Sequence, residues 1–197
     1  AMFGYPRLRQ FIAARNAQEE VTYDNRALDM LQQGQPLPAA LQEANQALHV
    51  VRNEENEAIA EEVRGRVVAA VETQLNAISW NRAMLEEASA LANQAAQVDS
   101  SKTIRDLLMR VDRESAAYKF VLTDVDVEAG TATFKLHDPY YPTPEETVEA
   151  GDRIHERFLV KRLMPNLVIL EDHKHCGPHG RCRKLYARLF GPVTGAP

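Results

Sequence analysis

The feature that most constrains the fold is a run of roughly sixty residues, 37–96, in which Ala, Leu, Gln and Glu dominate. Its only helix breakers are Pro38, at the start, and Gly65. The dominant residue types lose little side-chain freedom in a helix, so the run predicts helix almost throughout. No Gly or Pro marks a turn in the polar patch 52–57, and we therefore expect the helix to continue through it. A phase shift in the apolar spacing near Ser79 is a second weak point.

Apolar residues recur along this run every three or four positions, which is the pattern of an amphipathic helix. They are Leu41, Ala44, Leu48, Val51, Ile59, Val63, Val67, Ala70, Val71, Leu75 and Ile78. The stripe is longer than the remaining chain can comfortably cover. Because exposed apolar stripes of this size usually mark interfaces, we expect the helices to share it with a neighbour.

Shorter helices are predicted on both sides of the run. Apolar spacing predicts one within 3–17 and another from about Asp24 to Gly34. Cap-type residues at 99–101 precede a further helix over 103–111. Together these elements predict an antiparallel helical bundle or hairpin with one long helix, forming a scaffold domain at 1–114.

Beyond residue 115 the apolar period drops from about 3.6 to 2, which indicates strands. The segment from Tyr118 to Val127 alternates, 128–130 forms a turn, and 131–136 returns as the hairpin partner. Thr143 and Pro144 predict a single helical turn that ends near Glu149.

More strands are expected within 153–163, at 167–170 and at 184–190. About five short strands in eighty residues predict a small five-stranded antiparallel β-barrel-like module. The predicted fold class is therefore α+β, with the β module at 115–191 and a disordered tail at 192–197.

Charge is unevenly distributed along the chain. Residues 151–197 hold nine Lys and Arg against four Asp and Glu, a net charge of +5, whereas the whole chain carries −5. The preceding part therefore carries −10. This asymmetry indicates that the two parts meet different partners or each other, or else that both are simply solvated. No apolar run approaches the roughly 18–20 residues of a membrane span, so no transmembrane segment is expected.

The densest chemical cluster is residues 173–182, which contain both cysteines and three of the six histidines. One interpretation is a structural zinc site. Its ligands would be Cys176, His179 and Cys182, with His175 or His173 as the fourth. Another is a Cys176–Cys182 disulfide that pins a hairpin tip and implies an oxidising compartment, the periplasm or cell envelope, rather than the cytoplasm. The third is two free cysteines on a solvated loop.

Basic residues follow this loop, with one tyrosine among them. They are Arg181, Arg183, Lys184, Tyr186 and Arg188. Cations that grip phosphates beside an aromatic ring that stacks on a base would suit nucleic acid. Strand alternation, however, places Arg183 and Lys184 on opposite faces, and a charged edge that prevents aggregation is the competing interpretation.

No catalytic motif stands out. The sequence has no Gly-rich phosphate loop, nucleophile elbow, paired-carboxylate pattern or His-Glu-x-x-His pattern. We therefore predict no catalysis and, apart from the zinc alternative, no cofactor. A zinc enzyme built on the His/Cys loop would need an open coordination position.

The segment 151–171 carries a family resemblance. It contains Gly151-Asp152-Arg153-Ile154, then Phe158-Leu159-Val160, then Asn166-Leu167-Val168-Ile169-Leu170-Glu171. A Gly-Asp, an apolar strand and a second strand meeting at an Asn or Asp turn resemble the small periplasmic β-domain, or homology region, of type II secretion and type IV pilus assembly proteins. The resemblance implies a binding scaffold in an envelope machine, without catalysis.

These observations predict a non-catalytic interaction or assembly scaffold. Its helices would self-associate or recruit a protein partner, and its β module would dock a second partner. The alternative is a nucleic-acid-binding protein that uses the basic β module, with a structural zinc at the His/Cys loop.

Overall fold

The computed structural model describes residues 22–137 and 141–195. In these ranges the protein is α+β, with five helices followed by antiparallel sheets of three and five strands. The described strands form two open sheets and no closed barrel, which corrects the expected barrel-like module. The chain divides into two compact units, Ala1–Val63 and Arg64–Pro197, which we describe separately. The domain boundary at 114/115 stays a prediction.

The described helices are α1 (Ala27–Gln32), α2 (Leu37–Val50), α3 (Glu54–Asn76), α4 (Arg82–Val98) and α5 (Lys102–Ala117). The helix predicted at 3–17 lies outside the described residues. Helix α5 begins where its caps predicted, because the Ser101 side chain accepts a hydrogen bond from the Ile104 amide. None of these helices combines the length and the apolar character needed to cross a bilayer.

The predicted continuity of the helix through 52–57 is wrong. In the first unit, the Asn53 side chain accepts a hydrogen bond from the Asn56 amide at 2.8 Å and caps the start of α3. The buried Asn56 side chain donates to the Val51 carbonyl at 2.8 Å and accepts from Asn25 at 2.9 Å. Asparagine side chains compete with helical backbone bonds, so they end a helix without Gly or Pro.

A second asparagine starts another helix near the weak point. The Asn81 side chain accepts from the Met84 amide at 3.0 Å and caps α4. The sixty-residue run is therefore three helices, α2, α3 and most of α4.

The apolar stripe is covered only in part within this chain. Six of its members are buried: Leu41, Ala44, Val63, Val67, Val71 and Leu75. Ile78 is 42% exposed, and the other four are partly exposed. Sharing of the stripe with a neighbour stays a prediction. Interrupted helices can turn back and cover one another, which an unbroken helix cannot do. In the second unit, for example, α4 packs against α5.

The first sheet contains β1 (Phe120–Asp126), β2 (Thr131–Leu136) and β3 (Glu145–Glu149), in that order. The predicted β1–β2 hairpin is confirmed, with Phe120 paired to Leu136. The helical turn predicted from Thr143 is wrong, because β3 pairs with β2. The β-branched residues Thr147 and Val148 suit a strand, and Val148 is buried.

The second sheet contains β4 (Arg153–Ile154), β5 (Phe158–Met164), β6 (Leu167–Cys176), β7 (Cys182–Arg188) and β8 (Thr194–Gly195), in that order. The predicted disordered tail does not fit residues 192–195, since Val193 is buried and β8 pairs with β7. The core joins the two sheets through aromatic contacts. The Phe120 ring lies 5.7 Å from the Phe134 ring and 5.1 Å from the Phe158 ring, measured between centroids.

Gly195 is required by a close backbone approach. A Cβ atom at this position would lie 1.6 Å from the carbonyl oxygen of Trp80, which is backbone and cannot rotate away. Gly65, in contrast, lies in α3 with open space around the position of its missing Cβ. An added methyl group should therefore destabilise the protein at position 195 and should be tolerated at position 65.

We expect Gly195→Ala to lower the free energy of unfolding by about 3 kcal/mol, because the backbone must shift to relieve overpacking. Gly65→Ala is the matched control and should raise stability by roughly 0.5–1 kcal/mol, since alanine favours the helix interior. Urea unfolding of both variants measures the difference. A Gly195→Ala protein as stable as the wild type would contradict the close approach.

Candidate functional site

The His/Cys loop closes the hairpin between β6 and β7. The sulfur atoms of Cys176 and Cys182 are bonded to each other, and the two residues are cross-strand partners. Of the three interpretations, the structure contains the disulfide. Sulfur atoms joined in this way are not free thiolate ligands for zinc. His179 is exposed whereas His175 is buried, so the four predicted zinc ligands do not converge.

The basic strand β7 alternates as predicted, and this corrects one of the nucleic-acid candidates. Lys184 and Arg188 are exposed and Tyr186 is half-buried, as is expected for a solvent-facing side of the strand. Arg183 faces the opposite way and is completely buried, so it cannot contact a nucleic acid. Arg181 is exposed just before the strand.

Arg183 instead caps the end of a helix. Its Nη2 donates to the Leu75 and Ala77 carbonyls, both at 2.6 Å, where α3 ends. The last carbonyls of a helix lack partners within the helix, and a cation suits the negative end of its dipole. The guanidinium also lies 5.4 Å from the centroid of the Trp80 ring. Arg183 therefore holds the end of α3 against the second sheet.

A buried network of charged side chains surrounds this arginine, and sequence reasoning missed it. Arg157 donates from Nε and Nη2 to the two carboxylate oxygens of Asp172, at 2.8 and 2.7 Å. The same Nη2 lies 2.5 Å from Oε1 of Glu114. These side chains are only 8%, 0% and 4% exposed, respectively. Buried charges of this kind are stable only when they are paired and hydrogen-bonded.

Tyr118 links the two arginines. Its hydroxyl donates to Asp172 at 2.5 Å and accepts from Arg183 at 2.5 Å and from Arg157 at 3.0 Å. On the other side of the network, Lys174 and His175 lie 2.6 and 2.7 Å from the Glu114 carboxylate. We call the seven residues the ion cluster: Glu114, Tyr118, Arg157, Asp172, Lys174, His175 and Arg183.

The surroundings keep both carboxyl groups of the ion cluster ionised. Burial alone would raise the pKa of Glu114, but the His175 hydrogen bond and the charge of Arg157 outweigh it and hold that pKa far below its ordinary range. Burial likewise opposes ionisation of Asp172, yet the bonds from Arg157 keep its pKa low. Burial and the Asp172 charge raise the pKa of Tyr118, so its hydroxyl stays protonated and can donate.

Three of these residues also resemble a metal site. One ligand atom from each of Glu114, Asp172 and His175 lies within 4.8 Å of the others. The Arg157 guanidinium, however, already contacts both carboxylates, and a metal ion would have to displace it. The arginine therefore supplies the positive charge, and the ion cluster acts structurally by joining α5 to β6 and to the turn between β4 and β5.

A signal for the ion cluster was present in the sequence pattern. Glu114 falls on the same helical face as the buried Leu107 and Val111 of α5. Asp172 and Arg183 occupy inward positions of β6 and β7. A charged residue at a position that the apolar period assigns to the core predicts a buried partner of opposite charge.

The solvent-facing side of the second sheet, which we call the outer face, mixes cations with half-buried apolar residues. Cross-strand pairing places its members in rows. They are Leu159, Glu171 and Lys184; Arg162, Ile169 and Tyr186; and Leu167 with Arg188. The three basic residues are exposed, and the others are partly exposed. Glu171 is the one acid in these rows.

A groove of about 890 Å³ lies elsewhere in the second unit, between α4, the start of β1 and the end of β2. Its walls include the nearly buried apolar residues Trp80, Leu85, Leu136 and Val193. Lys119 and Lys135 stand at its rim. Sequence reasoning did not find this groove, because its residues come from segments far apart in the chain.

No family model, curated protein or solved structure matches this chain.

The ion cluster predicts a specific dependence of stability on pH. Glu114 and Asp172 have lower pKa values folded than unfolded, so the unfolded chain binds more protons below about pH 5. Their contribution is complete above that pH and is lost as the pH falls towards the folded pKa values. We expect Glu114→Gln to lower stability at pH 7 by about 3 kcal/mol and to flatten the acid limb of the stability curve.

Urea unfolding at several pH values between 7 and 2.5 provides the measurement. Glu86→Gln is the matched control, because its side chain is 69% exposed and its ion pair with Arg82 is solvated. We expect that control to change stability by less than about 0.5 kcal/mol. A Glu114→Gln variant that keeps the full wild-type slope in acid would refute the pKa argument.

The disulfide should contribute measurably to stability. It closes a short loop, with a sequence separation of 6. The chain-entropy relation gives about 2 kcal/mol for a loop of this size, so Cys176→Ser with Cys182→Ser should lose that amount in urea unfolding. Reductant should reproduce the loss in the wild type and leave the variant unchanged. Titration of two free thiols in the purified protein, or stoichiometric bound zinc, would overturn the assignment.

Proposed function

We propose that the protein is a non-catalytic interaction and assembly module that docks an acidic protein partner on the outer face of the second sheet. The observation that carries the proposal is the composition of that face. Its centre is partly exposed and apolar, with Ile169 and Leu167, and its border is basic. An apolar centre with a polar rim is the usual anatomy of a protein interface.

Charge supports an acidic partner. Within the described ranges, Arg162, Lys184 and Arg188 form no ion pair, whereas Glu171 is 3.5 Å from Lys161. The outer face therefore presents three unpaired cations. Complementary charge accelerates association and selects partners, so a carboxylate-rich surface fits this face.

We further propose that the module works in the cell envelope. Two observations support this setting. Disulfides such as Cys176–Cys182 persist mainly in oxidising compartments. The segment 151–171, which resembles the periplasmic domain of secretion and pilus assembly proteins, forms β4, β5 and the first half of β6. The helices contribute a scaffold in this proposal. Because six members of the apolar stripe are buried within the chain, the proposal does not rest on self-association of the helices.

Nucleic-acid binding uses the same face and is the second candidate. Tyr186 stands between Lys184 and Arg188 on one side of β7, which suits a stacked base and flanking phosphates. Three features favour a protein instead. Arg183 is buried, Glu171 lies within the rows, and Tyr186 is the one aromatic residue among them. Single strands without sequence preference are usually gripped by several aromatic platforms.

A site-specific photocrosslinker tests the proposal in cells that make the protein. A benzoylphenylalanine in place of Tyr186 should give a discrete protein adduct. Benzoylphenylalanine in place of Val127 is the matched control and should give no adduct. Val127 lies in the turn after β1 and is 51% exposed. The adduct should disappear when Lys184→Glu and Arg188→Glu are added.

The captured protein, once purified, should bind the wild type and lose about tenfold or more in affinity for the doubly reversed variant, chiefly through slower association. If nuclease digests the adduct, the bound molecule is a nucleic acid, and the second candidate function replaces the proposal. Equal labelling from positions 186 and 127 would reject the outer face altogether.

A further inference from the structure

We propose that the groove binds a single-chain amphiphile with an anionic carboxylate head group, the chemical class of a fatty acid. This site is separate from the outer face, because its walls come from α4, β1 and β2 rather than from β5–β7. The inference therefore does not depend on the proposed function.

The size and the lining of the groove suit a small apolar molecule. Its volume of about 890 Å³ lies within the range of roughly 300–1,000 Å³ that is typical of small-molecule sites. Trp80, Leu85, Leu136 and Val193 supply apolar surface on different sides of it. An acyl chain would bury its methylene groups against these residues, which is the main source of affinity for such a ligand.

The groove wall is held rigidly before any ligand arrives. The Trp80 ring stacks on the Tyr118 ring with 4.5 Å between centroids, and Arg183 lies over its face. The backbone of Gly195 packs against the Trp80 carbonyl. A preformed site does not spend binding free energy on ordering its walls.

The charge at the rim selects an anion. Lys135 of β2 pairs with Val121 of β1, and Lys119 immediately precedes β1. Both lysines are exposed. Neither forms an ion pair with a described residue, and Glu145, opposite Lys135 on β3, lies beyond ion-pair distance. Glu86, the carboxylate among the groove residues, is already paired with Arg82 at 3.1 Å. The two lysine ammonium groups can pair with a carboxylate head group, while the apolar wall of the groove contacts the acyl chain attached to it.

Trp80 provides a direct readout, because it is the only tryptophan in the chain and it lines the groove. The experiment titrates the full protein with dodecanoate, below its micelle concentration, and follows tryptophan fluorescence. Dodecanol and dodecyltrimethylammonium have the same chain without the negative charge. We expect saturable binding of dodecanoate that is at least tenfold tighter than binding of either control.

Two variants separate the roles of charge and apolar surface. Lys119→Gln with Lys135→Gln should weaken dodecanoate tenfold or more and leave dodecanol unchanged. Ala90→Phe, which fills the groove from α4, should weaken both ligands. Lys184→Gln with Arg188→Gln, on the outer face, is the matched control and should change neither. Three outcomes would each overturn the proposal: equal affinity for the three ligands, a response that does not saturate, or normal dodecanoate binding by the double lysine variant. None of them would bear on the proposed function of the outer face.

Discussion

Tyr118 lies where two buried arginines meet, and the second unit is organised around that meeting. Its hydroxyl is shared by Arg157 and Arg183, while Asp172 and Glu114 balance their charge. Removing water from these charges costs several kcal/mol per ion unless each one finds its partner. Elements that are distant in sequence must therefore assemble in a single register. A slip of one residue in β6 would turn Asp172 to the solvent and leave Arg157 buried without its carboxylate.

The same constraint determines what the surface presents. Because Asp172 and Arg183 point inward, their neighbours Glu171 and Lys184 must point outward, and the outer face follows from the alternation of the strands. The groove depends on the ion cluster as well. Arg183 and Tyr118 hold the Trp80 ring in place, so a structural network in the core shapes both of the surfaces to which we assign binding. We therefore expect substitutions in the ion cluster to alter both surfaces although they touch neither.

The sequence predicted the features that depend on neighbouring residues. The cap at Ser101, the β1–β2 hairpin and the pairing of Cys176 with Cys182 as one alternative all rest on short-range patterns. It failed where a side chain competes with the backbone, since the Asn53 side chain starts a new helix inside a run that residue propensities would continue. It also failed where partners are far apart: Glu114 and Arg157 are separated by 43 positions, and only tertiary structure brings them together. Local propensity carries no information about such pairs. A charged residue at a core-facing position nevertheless predicts that a buried partner of opposite charge exists.

The charge asymmetry of the chain is best understood in these terms. Read from the sequence, the basic segment 151–197 and the acidic segment before it suggested separate partners, or contact with each other. Part of this charge difference is neutralised inside the second unit, where Glu114 of the acidic segment forms an ion pair with Arg157 of the basic segment. Arg183 is likewise withdrawn from the surface. A count of charges along the sequence therefore overstates the charge at the protein surface, because Glu114, Arg157 and Arg183 are buried. The cations that stay exposed are the smaller set that strand register leaves facing the solvent. In the function that we propose, we expect their positions, rather than the net charge, to select the partner.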